Sequence, residues 1–366
     1  MILRRIVMTL GTLVVAATLL GGAAARADQC VGNPRTLSYG NPPRKRLATM
    51  NAPMCGGTGT VLSDYRDNNG ELRYACLSQP LNMAAGVQLP LVVYLHPSLF
   101  TPDTLYGATD LPEFIQTADL TGDPNRPGFI LLAPQGRNTT HFYPFPDDTG
   151  PGWDNWYRNT QAGLEFGLPE AQAENVDVAA IDHYIEEIIA QGHVDTSRIF
   201  LTGWSNGSAM AILYGHARAT SARVRGWAIA AIGIYSAPNP YDDFNDPCPV
   251  ADFSSAPAPK ISKLPAISIL HIHNDCDIVG ICESGQNMAR VFYANGVSVS
   301  DDLLNSALEP SAACLAQCDR TPSSGGNQPG VGPDGTLGTA NHSRWPHNWT
   351  PALLHFFQLH PLRGRR

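Results

Sequence analysis

Short apolar runs separated by amphipathic stretches organise the chain from residue 89 onward. Leu89–Leu95 (LPLVVYL) and Phe129–Ala133 (FILLA) are brief and lack polar alternation, the pattern of strands covered on both faces. Asn175–Gly192 reads differently: Val178, Ile181, Ile185 and Ile188 recur at three and four, which predicts a helix that stops at Gly192. Arg198–Thr202 (RIFLT) is the next strand and Ser205–Ala219 the next helix. Strands over Val224–Ala231 and Ala266–Ile272 follow, then helices over Ser284–Asn295 and Pro351–Leu359. Strands alternating with helices imply right-handed crossovers. The expected fold is therefore α/β, a mainly parallel, doubly wound sheet covered by helices.

Two stretches fall outside that alternation. Residues 28–88 are loop-rich, with three cysteines and weak strand signals around Val61 and over Leu72–Leu77. They are expected to form a cysteine-bearing N-terminal extension packed on a catalytic domain of residues 89–366. Thr321–Ala340 is rich in Gly, Pro and Ser and is expected to be a long, partly mobile loop serving as a lid. Apolar residues make up 43% of the 366-residue chain, enough to build a full core and to exclude general disorder.

Residues 1–27 read as a signal peptide. Arg4 and Arg5 precede an apolar run, Ile6–Leu20, that is short for a membrane span, and Ala25-Arg26-Ala27 supplies a small-x-small cleavage pattern. The mature protein is expected to be secreted or periplasmic, with no membrane segment after cleavage. Of 24 basic and 32 acidic residues, the leader removes three arginines and no acid. Outside the two termini no Lys/Arg-rich run appears that could replace the counterions of a nucleic acid. All eight cysteines (Cys30, Cys55, Cys76, Cys248, Cys276, Cys282, Cys314 and Cys318) follow the leader and are expected to form disulfides. Cys276–Cys282 and Cys314–Cys318 would close the least chain.

Chemistry enters at Gly203-Trp204-Ser205-Asn206-Gly207, a G-x-S-x-G sequence with an apolar strand before it and an Ala-rich helix after it. A sharp strand-to-helix turn lifts the serine hydroxyl above the sheet, and flanking glycines leave room for it. Such a serine needs a base and an orienting carboxylate, in the chain order Ser, acid, His. Asp275 and Asp277 both follow the late strand, in His271-Ile272-His273-Asn274-Asp275-Cys276-Asp277. Near the C-terminus, His342 is the expected base and His347 its reserve. A rival reading takes His271, His273 and Asp275 as the H-x-H-x-D opening of a binuclear zinc site, but the next position is Cys276 where that pattern needs histidine. No metal and no cofactor are expected. Trp153, Trp156, Trp204 and Trp345 flank the motifs and are candidates either for core packing or for an aromatic wall against an acyl chain.

With these motifs, Leu89 to Phe357 resembles the secreted polyhydroxybutyrate depolymerases and the related feruloyl esterases, which are α/β-hydrolases. Asp195 to Gly203 (DTSRIFLTG) matches the family's run into the nucleophile, and His273 to Val279 resembles its H-G-T-x-D-x-x-V turn at the histidine and the aspartate, with the valine one residue early. The second match implies Asp277 as the acid. His342 to Pro346 matches the terminal H-x-W-P with one extra residue. The resemblance thus implies a Ser205–His342–Asp277 triad. Leu95-His96-Pro97 departs from the family's L-H-G, and proline has no N–H. The expected oxyanion donors are therefore the backbone N–H groups of Asn206 and of Ser98 or Leu99. The implied activity is hydrolysis of a polyester or feruloyl ester by a cofactor-free monomer. The related oxidised polyvinyl alcohol hydrolases, which cleave β-diketones, share the triad order. A third possibility is a secreted binding protein on the same fold without catalysis.

Overall fold

The computed structural model describes residues 50–67, 70–81, 83, 86–137, 151–153, 176–240, 264–274, 277, 285, 288–290, 292–294, 296, 299–304 and 342–362. Its centre is an eight-stranded sheet: β1 (Thr60–Leu62), β2 (Ala75–Ser78), β3 (Leu89–Leu95), β4 (Ile130–Pro134), β5 (Val194–Trp204), β6 (Ala231–Tyr235), β7 (Ser268–Asn274) and β8 (Val299–Leu304). The spatial order is β1-β2-β4-β3-β5-β6-β7-β8. Strands β3 to β8 run parallel, and β2 pairs antiparallel with β4 at one side, with β1 outside it. The helices are α1 (Thr104–Ala108), α2 (Val176–Ala190), α3 (Asn206–Arg218), α4 (Ala222–Arg225) and α5 (Thr350–Leu359).

All seven residues of β3 are buried, and the two-residue period of a strand sends them to opposite faces. Leu89, Leu91, Val93 and Leu95 join Ile199 and Leu201 of β5 under Ile181, Tyr184, Ile185 and Ile188 of α2. Val92 and Tyr94 join Phe200 and pack with Leu353, Leu354 and Phe357 of α5 on the other face. Both faces are thus covered. With this strand order and a serine turn between β5 and α3, the protein has the α/β-hydrolase fold.

Three expectations about elements are corrected. The strand expected over Val224–Ala231 begins only at Ala231, because Ala222–Arg225 is a helical turn closed by Gly226 in the left-handed conformation. Val224 points into solvent, while Trp227 to Ile229 are a buried link into β6. Strand β5 is longer than Arg198–Thr202 at both ends. Strand β8 was not expected at all; its sequence, VSDDLL, carries two aspartates and pairs on one side with β7.

In the N-terminal region, Cys55 and Cys76 form a disulfide that neither short-range expectation named. It ties the turn before β1 to β2 across a separation of 21 residues, a loop whose closure stabilises by about 3 kcal/mol in the chain-entropy picture. The expected pairs Cys276–Cys282 and Cys314–Cys318, the leader and the Thr321–Ala340 lid lie outside the described residues. Among the described residues no helix is long and apolar enough to cross a membrane.

Candidate active site

Strand β5 ends at Trp204 and α3 begins at Asn206, so Ser205 alone makes the turn. Its φ of 56° and ψ of −121° lie where a side chain is crowded, and such a residue persists only if its surroundings fix it. Here the Ser205 N–H donates to the Tyr235 carbonyl at 3.0 Å, and Ser208 Oγ–H reaches the same oxygen at 2.7 Å. The flanking glycines are required by close approach. A Cβ on Gly207 would stand 2.1 Å from the Leu95 carbonyl oxygen, and one on Gly203 would stand 2.5 Å from that of Gly207.

The turn presents Ser205 Oγ to His342, whose Nε2 is 2.7 Å away. His342 Nδ1 is 2.8 Å from Asp277 Oδ1. An ionised carboxylate only accepts, so the Nδ1 proton sits between His342 and Asp277, leaving the Nε2 lone pair to take the serine O–H. Asp277 is 2% exposed, where its charge acts with little solvent screening. The Trp204 indole N–H donates to the His342 carbonyl at 2.8 Å, which ties the histidine's backbone to the residue before Ser205. The alternatives fall elsewhere: His347 is exposed with Nδ1 3.5 Å from Asp110, and Asp275 lies outside the described residues.

One residue of this constellation was not singled out from sequence. Ser236, the first residue after β6, donates its hydroxyl to Asp277 Oδ2 and stands 3.1 Å from His342 Nδ1. A serine following Ala-Ile-Gly-Ile-Tyr carries no motif, so nothing in the chain pointed to it.

The loop after β3 differs from expectation in one detail. The Leu99 N–H donates to the Pro151 carbonyl at 2.7 Å, so it is committed within the protein and is not an oxyanion donor. Asn206 opens α3, where a helix leaves its first N–H groups without intrahelical acceptors. Its side chain is engaged separately, accepting the Trp153 N–H at Oδ1 over 2.7 Å. His96 is fully buried. Gly136 N–H donates to its Nε2 at 2.9 Å, so the ring is neutral and its Nδ1–H donates to the Pro97 carbonyl at 2.8 Å.

The three described tryptophans of the four do not form an open wall. Trp153 donates its indole N–H to the His96 carbonyl and Trp345 to Thr350 Oγ1, while Trp204 holds His342. All three are buried, and Trp345 packs edge-on against Tyr94, Trp204 and Tyr235. Their rings belong to the hydrophobic core, Trp153 in one cluster and Trp204 and Trp345 in the other. Trp156 lies outside the described residues. Of the rival zinc residues, His271 is buried in β7.

Burial pushes the pKa of both His96 and His216 down to about 4. Their ordinary value is near 6.5, so below that pH the unfolded chain takes up protons that the folded protein refuses. Stability should therefore be full above pH 6.5 and fall as pH drops toward 4, by about 2 kcal/mol per histidine between pH 7 and pH 5. Urea unfolding at the two pH values measures this, and His216→Gln should remove that residue's share. An unchanged pH dependence in the variant would show that His216 protonates freely in the folded state.

A scan against protein-family models finds no match, and a search of curated proteins finds none. Among solved structures, the chain is similar to a ferulic acid esterase at 12% identity, covering 68% of this chain and 91% of that one with a TM-score of 0.46. It is also similar to a thermostable esterase at 15% identity and a TM-score of 0.38, covering 69% of this chain and 57% of that one. A third is the acylaminoacyl peptidase of Pyrococcus horikoshii, at 12% identity and a TM-score of 0.47, covering 84% of this chain and 42% of that one.

Proposed function

We propose that the protein is an exported serine hydrolase that cleaves carboxylic esters through an acyl-enzyme. The observation that carries this reading is the unbroken relay from Ser205 Oγ through His342 to the buried Asp277, at 2.7 and 2.8 Å, mounted on a strained strand-to-helix turn. Ser205 Oγ attacks the ester carbonyl as its proton passes to His342 Nε2, and Asp277 holds the resulting imidazolium. The Asn206 N–H, with Ser98 from the facing loop, stabilises the oxyanion. When the C–O bond breaks, His342 returns the proton to the departing alcohol. Water, deprotonated by the same histidine, then releases the acid.

Two further features support the finer reading. The leader and the Cys55–Cys76 disulfide fit an oxidising compartment outside the cytosol. Leu99 and Phe100, exposed on the loop beside the nucleophile, fit an apolar acyl chain such as a polyester or a feruloyl group.

The test compares purified protein on p-nitrophenyl butyrate, polyhydroxybutyrate film, methyl ferulate and a β-diketone, beside labelling with a fluorophosphonate. Ester turnover with labelling of Ser205 is expected. Absence of labelling would overturn the serine mechanism, and turnover of the β-diketone alone would replace ester cleavage with carbon–carbon hydrolysis.

A further inference from the structure

Four non-glycine residues among those described have a left-handed φ: Cys55, Leu99, Ser205 and Ser236. Three of them follow the C-terminal ends of β3, β5 and β6, which are neighbours in the sheet. Crowded backbone of this kind is retained where the structure holds it in place. At Ser205 the reason is the nucleophile. At Leu99 it is the loop facing that nucleophile. Ser236, at φ 57°, is the one whose reason is still to be found.

Its surroundings supply it. The Ser236 N–H donates to the Ile272 carbonyl at 2.9 Å, continuing the pairing of β6 with β7 one residue past the strand. The preceding residue, Tyr235, uses its carbonyl to hold the nucleophile turn through the Ser205 N–H. The left-handed turn then directs the Ser236 side chain to the acid and the histidine, where it is 1% exposed. The carboxylate can only accept, so Ser236 donates its hydroxyl proton to Asp277 Oδ2. Its oxygen is thereby free to accept at His342 Nδ1, 3.1 Å away, while the same N–H meets Asp277 Oδ1 at 2.8 Å. Serine, carboxylate and imidazole close a ring in which the Nδ1–H is shared between two acceptors.

We infer that Ser236 is a positioning residue of the active site: it locks the Asp277 carboxylate and the His342 ring in the orientation that aims Nε2 at Ser205. The inference rests on the reading of Ser205, His342 and Asp277 as a catalytic relay. Neither the carboxylate nor the imidazole can turn without breaking a contact to Ser236. The sharing also persists when His342 becomes imidazolium, because the Nδ1 proton is present in both protonation states. Ser236 is buried and turned toward the acid and the histidine, so its effect belongs in the chemical step and not in binding.

The test uses Ser236→Ala and Ser236→Gly. Both remove the hydroxyl, and the glycine also relaxes the left-handed backbone, so it separates loss of the hydroxyl from loss of fold. A hydrogen bond to a charged group lost from the transition state corresponds to a fall in kcat on the order of 10- to 100-fold. Both variants should show that fall on one soluble ester, with KM unchanged and Tm of the glycine variant at least that of the wild type. Rates are normalised to the fraction of protein labelled by fluorophosphonate. Values of kcat within about threefold of wild type would overturn the inference, as would a glycine variant that does not fold. Ser205→Ala is run alongside: if it is inactive while the Ser236 variants are normal, only the role of Ser236 fails. If Ser205→Ala is active, the relay itself fails and this inference with it.

Discussion

Ser205→Ala should lower kcat on the order of 10⁴- to 10⁶-fold while leaving the protein folded. The magnitude follows from what the hydroxyl does and from what remains without it. His342 and Asp277 act only through the Ser205 oxygen, 2.7 Å from His342 Nε2. Removing that oxygen silences all three at once, so their effects do not add. What survives is the backbone: the N–H of Asn206 and the facing loop can still polarise a carbonyl, and residual catalysis over water is expected from that source. The fold should tolerate the change. Alanine keeps the Cβ that the φ of 56° already accommodates, and the contacts anchoring the turn are the Ser205 N–H on Tyr235 and the close packing of Gly203 and Gly207, neither of which uses the hydroxyl. Steady-state kinetics on a soluble ester with circular dichroism provides the check. A folded variant keeping more than a tenth of wild-type activity would remove Ser205 from the mechanism.

Much of this arrangement was legible in the chain because it depends on local rules. Leu89–Leu95 is a strand to the residue, since seven consecutive buried positions leave no other element for so short a run. The turn at Ser205 was legible because backbone crowding admits only glycine at 203 and 207. His342 stood out through its neighbour Trp345, whose ring lodges among Tyr94, Trp204 and Tyr235 and so anchors the segment beside Ser205. What was not legible depends on partners distant in sequence. Strand β8 has a polar sequence and exists because β7 offers it a free edge. The Leu99 N–H is committed to Pro151, fifty-two residues on, and no pattern in Leu95-His96-Pro97-Ser98-Leu99 reveals that. Ser236 reads as one serine among many until β6 and β7 set it against Asp277. The start of β6 was misplaced because Val224 and Trp227–Ala231 are equally apolar in composition, while Gly226 ends a helical turn between them.

Asp277→Asn should cost about 10⁴-fold in kcat near neutral pH, and Asp275→Asn less than about tenfold. The two aspartates are two apart after the same strand, and either could have served by position in the chain. Asp277 is the one whose Oδ1 meets His342 Nδ1 at 2.8 Å, buried at 2% exposure with Ser236 on its second oxygen. An asparagine is nearly the same size, so packing is preserved, but its amide differs from the carboxylate in two ways. It carries no charge to hold the imidazolium that forms when Ser205 gives up its proton. If its NH₂ faces Nδ1, it donates where the histidine must also donate, which drives the ring to the opposite tautomer and points a proton at Ser205. The loss should therefore appear in kcat, with KM little changed, and should ease at alkaline pH, where hydroxide can take the serine proton in place of the histidine. Kinetics of both variants on one ester across pH 6 to 10, with folding checked by circular dichroism, separates the outcomes. A crippled Asp275→Asn beside a normal Asp277→Asn would place the working carboxylate two residues earlier than the geometry does.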